Sequence, residues 1–213
     1  MKPMAVSLLL LSLFGLAAAA GSAKPSVVVV DPSDRVAGLS QADWSRAWWQ
    51  WAGSFSRFES PIADKSGTRC RAGQSGAVWF LAGTYGTNRT IRTCTVPAGK
   101  YLFFPLINYV VLPTYSGSLT CETARNSAKA MTDDVEALVL EVDGKRFMNL
   151  ESHRQATSEC FDMAARAGGG VTPSAGNGYY VMLRPLSRGT HTLNFGGILP
   201  GMSQAVTYTL IVE

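Results

Sequence analysis

Histidine is the side chain best suited to moving protons near neutral pH, and this chain of 213 residues has 2 of them, His153 and His191. A serine hydrolase needs one within hydrogen-bonding reach of both a nucleophile and an acid. His191 alternates with Leu193 and Phe195, which puts it on the apolar face of a strand and reads as a structural histidine. His153 lies in the polar stretch Glu151-Ser-His-Arg154 and is expected to face solvent; Ser152 and Ser158 are near it, but no Gly-x-Ser-x-Gly elbow is present. A secreted hydrolase using His153 or His191 with carboxylates from separate strands is therefore the alternative reading, and no catalytic residue is assigned.

The acidic groups are equally spare. Asp133, Asp134 and Glu136 cluster, as do Asp31 and Asp34, and each cluster fits a solvated helix end or turn. Distant strands could still bring two carboxylates together for glycoside hydrolysis. Asp64 with loop carbonyls could hold calcium, but no Asp-x-Asp-x-Asp-Gly loop occurs. There is no Cys-x-x-Cys pair, and neither histidine has ligand spacing to a cysteine, so no metal is implied. Gly168-Gly-Gly170 lacks the Lys-Ser/Thr ending of a phosphate loop. No cofactor is expected.

What remains is aromatic chemistry, in which ring faces stack on sugars and anchor protein interfaces. Trp44, Trp48, Trp51 and Phe55 recur at i, i+4, i+7 and i+11, one face of a helix, and this face is expected to pack on a sheet. Trp49 lies off that face and is a candidate exposed contact, with Tyr85, Tyr115, Tyr179 and Tyr180.

The elements that would carry these residues are mostly strands. The central block is Cys94-Thr-Val-Pro-Ala-Gly-Lys-Tyr-Leu-Phe-Phe-Pro-Leu-Ile-Asn108. Pro97 and Gly99 suit a tight corner, and the run after it is apolar on both faces, so it belongs inside a covered sheet. In strict alternation Tyr101, Phe103 and Ile107 point one way, and Leu102, Phe104 and Leu106 the other. Pro105 has no N–H for a ladder, which predicts a bulge or bend there, where the chain could pass between sheets.

Ahead of this block, Val27–Val30 reads as an edge strand. Ser40-Gln-Ala-Asp43 reads as a capping-box start for the tryptophan helix, with Gly53 near its end. Ala77–Ala82 and Arg89–Val96 read as a hairpin. After it, Ala124–Thr132 reads as a short helix. Ala137–Asp143 alternates into Asp143-Gly144, the strongest short hairpin signal, with Lys145–Leu150 returning. The stretch from Gly168 to Gly178 has the composition of a flexible loop. Tyr179–Arg184, Thr190–Phe195 and Val206–Val212 close the chain as alternating strands. The fold class is all-β, an antiparallel sandwich, immunoglobulin-like or jelly-roll-like, with one or two short covering helices and two disulfides.

Length and termini bound the rest. Residues 1–23 have a short basic start, an apolar run and small residues at the end, the pattern of a cleavable secretory signal peptide. Residues 24–39 form an extended lead-in and 40–213 a single sandwich domain with an N-terminal Trp-rich helix. Export to an oxidising compartment, secreted or periplasmic, makes the 4 cysteines readable as two bridges. Four cysteines allow three pairings; Cys70–Cys94 with Cys121–Cys160 closes the most local segments. The net charge of +4 is spread without a basic run, which argues against nucleic acid as a partner.

Trp48-Trp-Gln-Trp51, Gly76-Ala-Val-Trp-Phe-Leu-Ala-Gly83, the Cys94–Asn108 block and Gly178–His191 together resemble a group of uncharacterised exported bacterial proteins. The resemblance covers most of the chain beyond residue 23. It implies a periplasmic or secreted protein and carries no activity or site residues. The Gly178–His191 block also resembles the closing hairpin of many immunoglobulin-like sandwiches, an analogy of fold alone. The leading functional expectation is a non-catalytic exported binding or interaction protein whose ligand is a glycan or another envelope protein.

Overall fold

The structure is a computed structural model that describes residues 26–86, 89–113, 119–163 and 173–213. Residues 1–23, Tyr115 and Gly168–Gly170 lie outside the described residues. Among the described residues nine strands form two sheets. Strands β1 (Val78–Phe80), β3 (Tyr101–Val111), β6 (Arg154–Ala156) and β7 (Ala175–Leu183) make one in the order β1-β3-β7-β6. Strands β2 (Arg89–Val96), β4 (Ala137–Val142), β5 (Lys145–Arg146), β8 (Gly189–Leu199) and β9 (Met202–Val212) make the other in the order β2-β9-β8-β4-β5. The helices are α1 (Gln41–Gly53) and α2 (Cys121–Ala130).

The sandwich is mixed, not purely antiparallel as expected. β1 runs parallel to β3, and β2 runs parallel to β9. The expected β1–β2 hairpin does not form, because the connection after Phe80 carries the chain from one sheet to the other. Crossing between sheets leaves each strand to pair with a partner distant in sequence, and that is how parallel neighbours arise without a helical crossover.

β3 is buried along most of its length, as its two apolar faces require. Phe103 faces outward toward α1, while Leu102, Phe104 and Leu106 face the other sheet. The register against β7 shifts between Pro105 and Ile107, so the proline does mark a bulge. The bulge turns Ile107 to the same side as Leu106, against the strict alternation, and β3 stays within one sheet throughout. The side-chain amide of Gln204, from β9, crosses the sandwich and donates to the carbonyls of Pro105 (2.9 Å) and Leu106 (2.8 Å). Its own oxygen accepts the Thr84 N–H at 2.7 Å. One buried amide thus satisfies backbone groups that the irregular ladder leaves over.

α1 starts on the capping box of Ser40 and Asp43, each side chain bonding the other residue's N–H. Its tryptophans lie on the outer face of the β1-β3-β7-β6 sheet with Phe103, Tyr180 and Met182, giving three layers. The Trp48 indole N–H donates to Leu81 O at 3.0 Å and that of Trp51 to Ala72 O at 2.9 Å. The lead-in continues the β6 edge, with Val30 N–H bonding Met182 O and Arg184 N–H bonding Val28 O.

Both disulfides form in the expected pairing, Cys70–Cys94 and Cys121–Cys160. The first is buried in the core; the second is accessible and pins the start of α2 to the strand-free segment after β6. Gly176 and Gly178, expected in a flexible loop, belong to β7, where a Cβ on Gly176 would meet the Trp49 ring nitrogen at 2.5 Å. The return strand after Gly144 is shorter than expected, ending at Arg146.

Candidate functional site

His191 meets an acid and a serine. Its Nδ1 is 2.7 Å from Asp143 Oδ2, and its Nε2 is 3.4 Å from Ser187 Oγ. Asp143 occupies the first turn position at φ 51°, and its Oδ1 accepts the Thr192 N–H at 2.9 Å. The residue types are those of a hydrolase, but the geometry is different. Nε2 lies closer, at 2.8 Å, to the Ser187 carbonyl, which can only accept. A nitrogen donating to that oxygen has no lone pair for the serine proton. The ring is buried, and the group joins the β4–β5 turn to β8 and to the turn before it.

His153 is buried, not solvent-facing, because the lead-in and β7 close over the short 3-10 turn Leu150–His153. Burial lowers its pKa, against opposing contributions from the Asp31 carboxylate and a backbone bond to Tyr180. The nearby hydroxyls are engaged elsewhere: Ser152 Oγ donates to Asn149 O and Ser158 Oγ to Asp43 Oδ1. Asp133 is held below the usual carboxylate range by hydrogen bonds from Lys129 and Arg154. Among the described residues no group of three or more His, Cys, Asp or Glu side chains could hold a metal ion.

The structure separates the candidate aromatic contacts. Trp49, Tyr179 and Tyr180 are buried and are not surface contacts. Trp49 lies off the main apolar stripe, yet β6 and β7 reach far enough around α1 to cover it. Tyr180 stacks on Phe103 with centroids 5.4 Å apart, and its hydroxyl accepts from Asn108 Nδ2 at 3.0 Å. Burial raises the pKa of that phenol strongly. Tyr179 packs between the sheets and donates its hydroxyl to Thr132 O at 3.3 Å. Tyr85 alone of the described candidates is exposed, at 62%.

Tyr85 borders an open groove of about 590 Å³ at the end of the sandwich where β8 turns into β9. Tyr109 from the end of β3, Met131 capping α2, Glu136 ahead of β4, Ile198 of β8 and Met202 of β9 complete it. Each wall has a local reason to be there. Pro200-Gly201, with Gly201 at φ 76°, turns the hairpin and presents Ile198 and Met202 on either side. The Arg154 guanidinium holds the end of α2 through Lys129 O (2.9 Å), Thr132 Oγ1 (2.9 Å) and Asp133 Oδ1 (2.7 Å). The Glu136 N–H bonds Ile198 O at 2.9 Å, fixing the segment between α2 and β4. Tyr85 is steadied by a 3.3 Å hydrogen bond from its hydroxyl to Ser60 Oγ, which leaves the ring itself in solvent.

Met131 is 45% exposed and Ile198 42%, so apolar side chains on both walls are open to a partner. Pliable thioethers beside an aromatic ring suit an irregular apolar surface. Sequence reasoning named Tyr85 as a ring contact and Glu136 only within an acidic cluster, and missed the other walls, because the lining comes from five separate segments of the chain. The one available signal was local, the Pro-Gly turn flanked by Ile198 and Met202.

No helix of the described residues is long and apolar enough to cross a membrane. No protein-family model matches the chain, and no curated protein matches it. Two solved structures show distant similarity. One, a structure of PbICP-C in complex with falcipain-2, matches at 11% identity over 65% of this chain and 100% of that chain, with a TM-score of 0.29. The other, the solution structure of amebosin, matches at 11% identity over 59% of this chain and 96% of that one, with a TM-score of 0.22. At that degree of superposition neither likeness carries a functional reading, and the groove stands on its own geometry.

Proposed function

We propose that this is a non-catalytic binding protein of an oxidising, extracytoplasmic compartment, and that it takes an apolar segment of another protein in the Tyr85–Met131–Ile198 groove. The observation that carries the proposal is the convergence of exposed Tyr85, Met131 and Ile198 on one open concavity. An aromatic anchor with flexible apolar neighbours and a single carboxylate, Glu136, matches the make-up of a protein-contact hot spot better than the paired polar side chains a sugar needs. Support also comes from the two histidines, both buried and committed to structural bonds or lacking a nucleophile.

A photo-crosslinking phenylalanine analogue placed at Tyr85, and separately at exposed Lys145 as a control, tests this in the native compartment. The proposal expects a discrete protein adduct from position 85 that disappears when Met131→Asp is added. Equal adducts from both positions, or none from position 85, would refute it. Saturable binding of a polysaccharide, lost on Tyr85→Ala, would replace the protein ligand with a glycan.

A further inference from the structure

The outward face of the β2-β9-β8-β4 sheet has an unusual composition for a surface left in water. Its rows across the strands read Arg89-Ala205-Gly196-Val139, Ile91-Thr207-Asn194-Glu141 and Thr93-Thr209-Thr192. A further row carries Ile211 beside Thr190, and another carries Ser203, Ile198 and Ala137. Of the outward positions on these four strands only Arg89 and Glu141 are charged. Ile91 is 60% exposed, Ile198 42%, Ile211 38% and Val139 37%. A solvated sheet face ordinarily alternates with polar and charged side chains, and a larger apolar surface marks an interaction site.

We propose that this face is a homodimer interface, with a second copy of the chain packed on it about a two-fold axis parallel to the strands. Such an axis, between β9 and β8, lays β2 of one copy over β4 of the other and keeps the rows in step. Arg89 then lies over Val139 of the second copy, one side-chain step along the strand from Glu141. The step is about 7 Å, within reach of an arginine, and sheets packed about 30° askew keep it so. Two symmetric Arg89–Glu141 pairs result. Glu141 accepts Asn194 Nδ2 at 3.0 Å, and Arg146 of the short β5 is its cross-strand neighbour.

The area agrees. Four strands about 4.8 Å apart, over about nine residues at 3.4 Å each, present roughly 550–600 Å² per copy. The total of about 1,100–1,200 Å² is at the lower end of specific interfaces, so a reversible dimer is expected. The same axis leaves the β8–β9 turns of both copies at one end. The dimer therefore offers two adjacent grooves to one partner, a consequence that rests on the proposed function, whereas the dimer itself does not.

Sedimentation equilibrium of the oxidised chain lacking its leader tests the interface. The wild type is expected to dimerise with a dissociation constant on the order of 10 µM. Ile91→Lys with Ile211→Lys should give a monomer with an unchanged far-UV spectrum. Arg89→Glu alone and Glu141→Arg alone should each weaken the dimer about tenfold, and the two together should recover most of the loss. A wild type that stays monomeric at about 100 µM, or a dimer indifferent to both lysines, overturns the proposal. Should a lysine variant fail to fold, the charge reversals decide: no recovery in the double variant counts against it. Dimer loss with crosslinking at position 85 intact would leave the groove reading standing alone.

Discussion

The Arg92 guanidinium lies over the Tyr208 ring, 5.5 Å from its centroid, and Nη1 donates to the Tyr208 hydroxyl at 3.1 Å. Both side chains are buried. The remaining donors go to main-chain carbonyls: Nε to Asp64 (2.7 Å), Nη2 to Ile62 (3.0 Å), and Nη1 to Ala82 (2.7 Å) and Gly83 (2.9 Å). A single cation thereby gathers the 62–64 loop, the crossover after β1 and strand β9. It does so through dipoles, and the fork of fixed donors is what allows one side chain to serve so many acceptors.

Arg92→Met should destabilise the fold by about 3–5 kcal/mol, since it leaves several buried carbonyls unpaired. Arg92→Lys should recover little of this, because an ammonium cannot span the same acceptors. Tyr208→Phe removes one acceptor and should cost about 1–2 kcal/mol. Urea unfolding of the oxidised protein measures all three, and an Arg92→Met protein as stable as wild type would contradict the account.

Gln204 should behave similarly. Replacing it with Leu strands Thr84 N–H and the Pro105 and Leu106 carbonyls around the bulge, at a cost of about 3 kcal/mol. Gln204→Glu should be no better, since a carboxylate cannot donate to the two carbonyls. Amide exchange at Thr84 would report the loss locally.

Stability should fall on mild acidification through His153. Its pKa in the folded protein lies below the ordinary 6.5, chiefly because burial disfavours the imidazolium. The unfolded chain therefore takes up a proton first as pH drops. The contribution of the neutral ring is complete above about pH 6.5 and declines below it, toward the lower folded value. His153→Gln should show a flatter urea midpoint between about pH 7.5 and pH 5 than wild type. An identical pH dependence in the two proteins would remove His153 from the explanation.

The two disulfides should part company under a limiting dithiol. Cys121–Cys160 is accessible whereas Cys70–Cys94 is buried, so alkylation and peptide mapping should find thiols first at 121 and 160. On the chain-entropy model either bridge contributes about 3–4 kcal/mol, so the Cys121→Ser/Cys160→Ser protein should fold with reduced stability. The end of α2 should stay in place, because Arg154 holds it independently of the bridge.

How legible each feature was depends on how far apart its residues lie in the chain. The α1 capping box, the Asp143-Gly144 turn, the buried β3 and the alternation of β7, β8 and β9 are all local patterns. A 2- or 3.6-residue period states which side chains share a face without reference to anything distant. The disulfide pairing was a preference among three possible pairings, which the structure decided as Cys70–Cys94 and Cys121–Cys160. Parallel pairing of β1 with β3 and of β2 with β9 has no such signal, since it is settled by which sheet the chain crosses into.

The site divides along the same line. Tyr85 was named as a candidate exposed ring and is one, but Trp49, Tyr179 and Tyr180 were named beside it and are buried. Exposure belongs to the neighbours that fold over a residue, and those come from other elements. His153 shows this most clearly: its own segment is polar, yet the lead-in and β7 enclose it. Sequence alone therefore determined the type of the main elements and the covered central strand, because each follows from neighbours along the chain. Only the tertiary structure decided the strand partners, the buried or open state of each aromatic, and the groove itself, because those depend on segments that meet solely through folding.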